Sequence, residues 1–206
     1  MLKLIRPLTL LALTLLLATP GIAAAATIFF DNFNRDNSTD VGNGWIVTED
    51  GRWDVRIKGN RLRMRDKDGD PSVTQITLDT TGYENIRISF DYESFGGDGD
   101  TTETSDVLSV LYDDGSGFSL IDAIQLGNDG VVFSVAFLLP AGAAGIPDLA
   151  SRLALAVSTD DEGVFIDNFR VSADIATAAV SAPEPSAALV FGIGLLTVRA
   201  SLRRRA

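Results

Sequence analysis

Two aspartates occupy matched surroundings near opposite ends of the chain, in Phe29-x-Asp31-x-Phe33 and Phe165-x-Asp167-x-Phe169, each within an Asp-Asn-Phe triplet. Residues two apart in a strand share a face, so each carboxylate is expected to point inward with its flanking phenylalanines. A carboxylate buried without a partner is costly, so something must compensate it. Two compensations are open. If the terminal strands are neighbours, Asp31 and Asp167 meet around one structural Ca2+, an ion at home among oxygen donors outside the cell. Otherwise each aspartate is hydrogen-bonded to backbone at a strand end, or paired with Arg35 or Arg170.

A second group is cationic. Arg52, Arg56, Lys58, Arg61, Arg63, Arg65 and Lys67 crowd into one short stretch of a chain whose net charge is −11. In Arg61-Leu62-Arg63-Met64-Arg65 the arginines share a face while Leu62 and Met64 share the other. Arg52 and Arg56 alternate in the same way with Trp53, Val55 and Ile57. If Lys58-Gly59-Asn60 turns the chain, Arg52, Arg56, Arg61, Arg63 and Arg65 line up as a stripe for an anionic ligand. An acidic polysaccharide or the acidic face of another copy would suit it; a plain solvated strand face is the alternative. Trp45, Tyr83, Tyr92 and Tyr112 are candidates for a neutral-sugar platform or for packing. Asp66-x-Asp68-Gly69-Asp70 begins like a calcium loop, but Pro71 and Thr77 stand where an EF-hand needs glycine and a bidentate glutamate, so a turn is expected. Asn37-Ser38-Thr39 is a glycosylation sequon.

Histidine and cysteine are both absent. That removes Ser-His-Asp and Cys-His catalysis, histidine-ligated zinc and disulfide staples. Six of the 17 basic residues lie in the two ends of the chain, against one of the 28 acidic residues, so the body is more acidic than the whole. Such a surface repels nucleic acid and attracts divalent cations. A glycosidase requires paired carboxylates across a cleft. No tight Glu-x-Asp-x-x-Glu strand signature occurs, Asp91-Tyr92-Glu93 being the nearest approach, so a non-enzymatic body is expected, with a glycosidase on the same scaffold as the alternative.

The body reads as strands throughout. Period-two alternation predicts strands at 27–31, 45–48, 52–57, 61–65, 73–78, 85–92, 107–112, 118–126, 131–138, 152–158 and 164–172. Turn chemistry separates them, as at Lys58-Gly59-Asn60, Asp114-Gly115 and Asp161-Glu162-Gly163. Residues 139–150 read as a loop. Short strands with polar turns imply an all-β sandwich, a jelly roll, spanning 27–172. The stretches DNFNRDNSTDVGNGW (31–45), GRWDVRIKGNRLRM (51–64), TTGYENIRISFDY (80–92), DVLSVLYDDGSGF (106–118) and VFIDNFRVS (164–172) resemble concanavalin-like and MAM-like jelly rolls. That resemblance implies glycan binding or adhesion, often with a structural calcium.

The ends are addresses. Lys3 and Arg6 precede an apolar core, Leu8 to Leu17, and Ala24-Ala25-Ala26 follows, as in a signal peptide cut by signal peptidase after Ala26. Alanine-rich residues 173–182 read as a linker. Beyond it come Pro183-Glu184-Pro185, an apolar run from Ala187 to Val198, and Arg203-Arg204-Arg205. The run makes roughly 18 Å of helix, short of a ~30 Å hydrocarbon core, with the arginines as a cytoplasmic stop. Residues 183–206 resemble the PEP-CTERM sorting signal of exported bacterial proteins. The resemblance implies cutting near Pro183-Glu184-Pro185 by an exosortase, transient anchoring by the C-terminal helix, and delivery to the cell surface or extracellular matrix.

Overall fold

The computed structural model describes residues 25–48, 54–65, 72–96, 102, 103, 105–127, 129–158 and 162–176. Arg52, the Asp66–Asp70 loop, residues 1–24 of the leader, and the tail bearing Pro183, Glu184, Pro185 and Arg203 to Arg205 lie outside the described residues.

The strands are β1 (Ala25–Asp31), β2 (Ile46–Thr48), β3 (Val55–Ile57), β4 (Leu62–Arg65), β5 (Ser72–Leu78), β6 (Tyr83–Phe95), β7 (Val107–Asp113), β8 (Ser119–Gln125), β9 (Val132–Leu138), β10 (Leu149–Ala156) and β11 (Gly163–Ile175). They form two antiparallel sheets, an all-β sandwich. The front sheet runs β3-β4-β11-β6-β9, with β1 also on β11, and the back sheet runs β2-β5-β10-β7-β8. Each predicted strand is present, with shifted bounds. β10 begins inside the predicted loop 139–150, whose remainder carries a turn of 3-10 helix at Ala141–Ala143. Buried Thr80 orders this segment, donating its hydroxyl towards the carbonyls of Ala143 and Ile146 and accepting the Ile146 N–H. β11 continues through Ile175, so the first residues read as linker are paired in the sheet, with Ala173 opposite Ala26 and Asp174 opposite Ala25.

Alternation fills the space between the sheets. Val55, Ile57, Leu62, Met64, Ile88, Phe90, Val164, Ile166, Phe169 and Val171 from the front meet Ile76, Leu78, Leu108, Val110, Leu149, Leu153 and Leu155 from the back, all buried. Each such side chain contributes about 1.5–3 kcal/mol relative to exposure. The β3–β4 hairpin forms at the expected turn. Gly59 and Asn60 both have φ of 61°, and the Lys58 N–H donates to the Arg61 carbonyl, the geometry that matches the twist of a two-stranded ribbon.

β11 organises the front sheet. β6 pairs with it along nearly its whole length, whereas the other side is shared: β4 covers Gly163–Ile166 and β1 covers Phe169–Asp174. At the junction the register shifts between Asp167 and Arg170, and Asn168 takes φ of 52°. This bulge inserts a residue and reverses which side chains face the core. Upstream, Val164 and Ile166 point in; downstream, Phe169 and Val171 do.

Gly163 marks a close approach. A Cβ there would lie 2.2 Å from the Met64 carbonyl oxygen and 2.7 Å from the Phe95 ring. Gly163→Ala is expected to force β4 off β11 and to cost about 1–3 kcal/mol by overpacking, read as a lower denaturant midpoint in equilibrium unfolding.

Candidate functional site

The structure turns Asp31 and Asp167 to different faces of the front sheet. Asp31 is buried as expected, but its oxygens are already committed. Arg35 donates to both, at 2.7 and 2.9 Å, the Trp45 indole N–H donates at 2.9 Å and the Phe33 backbone N–H at 2.7 Å. Burial alone would raise its pKa; the bonds from Arg35, Asn43, Phe33 and Trp45 overcome that and hold the carboxyl below its ordinary value. A carboxylate so saturated, with a cation already on it, does not fit Ca2+, and the pairing with Arg35 is the compensation the chain uses. Asp167 also departs from the strict alternation. The bulge leaves it with Phe165 on the outer face, opposite Asp91 rather than Asp31.

That outer position makes Asp167 the centre of two adjoining depressions. Where β4 gives way to β1, a notch of about 280 Å³ is lined by Asn32, Asn34, Asn60, Asp167 and Asn168. Beside it a smaller groove, about 90 Å³, is lined by Arg61, Asp91, Tyr92, Glu93, Val132, Phe165 and Asp167. The polar groups are oriented. Asp91 accepts from the Ser134 hydroxyl and the Asn168 amide, and Asp167 accepts the Asn168 backbone N–H. Arg61 bonds Glu93 and lies 4.0 Å above the Phe165 ring, which packs against Phe95 with centroids 4.8 Å apart. Burial raises the Asp167 pKa; the Asn168 N–H and Arg61 pull against it, while Asp91 and Asp31 push with it. The arrangement offers planar amide and carboxylate hydrogen bonders beside a flat apolar ring.

The arginine stripe is divided among different partners. Arg61 belongs to the groove, and Arg65 bonds buried Asp54 at 3.2 Å. Arg56 and Arg63 are cross-strand neighbours on the outer face, and Arg63 is buried with its guanidinium 5.8 Å from the Phe95 ring centroid. Of the four aromatic candidates, Tyr92 lines the groove, its ring stacked on Phe133. Trp45 is buried in the core against Phe29, Phe33 and Phe169, and Tyr83, Tyr92 and Tyr112 pack partly against it. Phe165 lines the groove and is backed by Phe95; alternation mis-assigned the first and passed over the second.

The acidic run 96–106, which reads in the sequence as a solvated loop able to bind cations weakly, meets a distant glutamate. Carboxylate oxygens of Glu103, Asp106 and Glu162 lie within 4.8 Å of one another, the last two residues fully buried. Asp106 accepts the backbone N–H groups of Glu103 and Ser158, and Glu103 accepts the Ser158 hydroxyl. Two segments distant in sequence build this cluster, Glu103 to Asp106 and Glu162.

No family model matches the chain, and no curated protein does. Solved structures do resemble it. The K3 cleaved adhesin domain of Lys-gingipain from Porphyromonas gingivalis superposes with a TM-score of 0.50 at 11% identity, covering 72% of this chain and 99% of that one. The CBM22-1 xylan-binding domain of Xyn10C from Paenibacillus barcinonensis gives 0.47 at 14%, covering 75% and 98%. A family 29 carbohydrate binding module gives 0.46 at 11%, covering 72% and 88%. At such identities the likeness is one of fold.

The two aspartates should answer to pH in opposite senses. The lowered pKa of Asp31 stabilises the fold above the ordinary carboxylate value of 3.8, and that contribution is lost as pH falls through the folded value. Asp31→Asn is therefore expected to cost ~3 kcal/mol at pH 7 and to flatten the acid limb of a stability profile. The raised pKa of Asp167 opposes folding above its folded value and ceases to matter below 3.8. Asp167→Asn is expected to raise the melting temperature at pH 7, with the gain closing as the pH is lowered.

Proposed function

We propose that this chain is an exported, non-catalytic surface or matrix protein that binds polysaccharide on the outer face of its front sheet. The observation that carries the reading is the position of Asp167, shared by an amide-lined notch and a groove floored by Phe165. A sugar ring has an apolar C–H face and a rim of hydroxyls. Phe165, backed by Phe95, suits the first, and the Asn, Asp91, Glu93 and Asp167 groups suit the second. Asp91 and Asp167 are direct cross-strand neighbours on one flat face. Catalytic carboxylates instead flank a bond from two sides, which favours binding over hydrolysis. Export rests on the two ends of the sequence, the signal peptide before Thr27 and the Pro183-Glu184-Pro185 signal with its arginine stop.

Phe165→Ala is expected to weaken binding to glycans selected on an array about tenfold, the effect of losing one ring contact of roughly 1.4 kcal/mol. Unchanged affinity, or release of reducing sugar from the bound glycan, would overturn the reading. For export, the mass of the protein recovered from its native envelope should lack the leader and the tail beyond the Pro-Glu-Pro motif. Recovery of the unprocessed chain would refute that part.

A further inference from the structure

A third cleft lies on the other side of the β3–β4 turn. It encloses about 230 Å³ and is lined by Asn37, Ser38, Thr39, Arg56, Ile57 and Lys58. The connection from β1 to β2 forms one wall, fastened to β3 by paired backbone bonds between Ser38 and Ile57 at 2.8 and 3.2 Å. The Asn37 side-chain oxygen accepts the Gly59 N–H at 2.8 Å and closes the end. The wall is thus pinned at Asn37 and Ser38.

The charged side chains lining the cleft are Arg56 and Lys58. Among the described residues lining it none is acidic, and the nearby Asp40 directs a carboxylate oxygen to the Gly42 N–H instead. Arg56 sits directly opposite Arg63, a like-charge pair of the kind that weakens a ladder. The Nε of Arg56 is buried and makes no hydrogen bond. Lys58 is crowded by the same field: Arg63 foremost, then burial, Arg56 and Arg65 lower its pKa. The Ser38 hydroxyl oxygen accepts the Asp40 N–H, which leaves its proton to donate. Arg56 and Lys58, two cationic side chains with hydroxyl donors beside them, form a receptor for an oxyanion.

We infer that the Arg56–Lys58 cleft seats the anionic substituent, carboxylate or sulfate, of an acidic polysaccharide whose neighbouring sugar lies in the Asp167 groove. This deepens the carbohydrate-binding reading and rests on it. The same turn serves both places: Lys58 lines the cleft, Asn60 the notch and Arg61 the groove. A chain crossing the turn would present a charged group on one side and ring hydroxyls on the other. The net charge of −11 and the carboxylates of the groove confine the polymer's anionic group to the cleft, so the sugar in the groove is an uncharged unit of the same chain.

The test compares purified full-length protein with the Arg56→Gln/Lys58→Gln and Arg56→Lys/Lys58→Arg double variants and with Phe165→Ala. Ligands are a polyuronate, a sulfated galactan and an uncharged xylan, each measured by affinity electrophoresis at low and moderate salt. The wild type should bind at least one anionic polymer more tightly than xylan, with affinity falling as salt rises. The glutamine pair should lose at least about tenfold for that polymer and leave xylan retention unchanged, whereas the charge-preserving pair keeps most of the binding. Which polymer shows the loss distinguishes carboxylate from sulfate. Equal retention of both anionic polymers by wild type and the glutamine pair would overturn the inference. Loss in the glutamine pair with Phe165→Ala behaving as wild type would keep the cleft and discard the groove.

Discussion

A single buried negative charge holds the front of this sandwich together. Asp31 ends β1, and its carboxylate gathers Arg35 from the following loop, the Trp45 indole just before β2, and the Phe33 backbone. Trp45 then sits among Phe29, Phe33 and Phe169. With no cysteine available, this ion pair with its aromatic surround joins the first strand, the first loop and the last strand. Its cost in desolvation is offset because all the bonds converge on one charge.

The site exists because β11 changes partner. A strand flanked by one neighbour throughout has no reason to bulge, but β11 must leave β4 and meet β1 within a few residues. Asn168 absorbs the mismatch in a left-handed conformation that asparagine tolerates better than most residues. The reversal sends Phe169 inward to Trp45 and leaves Asp167 outside. One backbone irregularity therefore supplies both a core contact and the centre of the outer face.

Much of this was legible in the sequence and some was not, for definable reasons. The strands, the Gly59-Asn60 turn and the shared face of Arg56 and Arg63 all follow from period-two alternation and turn chemistry, which are local. The outward turn of Asp167 was hidden because alternation assumes an unbroken pleat, and an Asp-Asn-Phe triplet reads the same with or without a bulge. Whether Trp45 packs or faces out stayed open in the sequence because its hydrogen-bond acceptor lies 14 residues away. The meeting of Glu103, Asp106 and Glu162, and the joining of Ser38 to Arg56 and Lys58 in one cleft, depend on which loops the sandwich brings together.

The pairing of Thr27 with Ser172 carries a mechanical consequence. Both ends of the body leave from one pole of the same sheet, on adjacent strands. Anything tethered beyond Ile175 pulls on β11 along its axis, at right angles to its hydrogen bonds with β6. Those bonds are then loaded together in shear instead of opening one after another like a zip. A body built this way resists tension best when it is held by its tail.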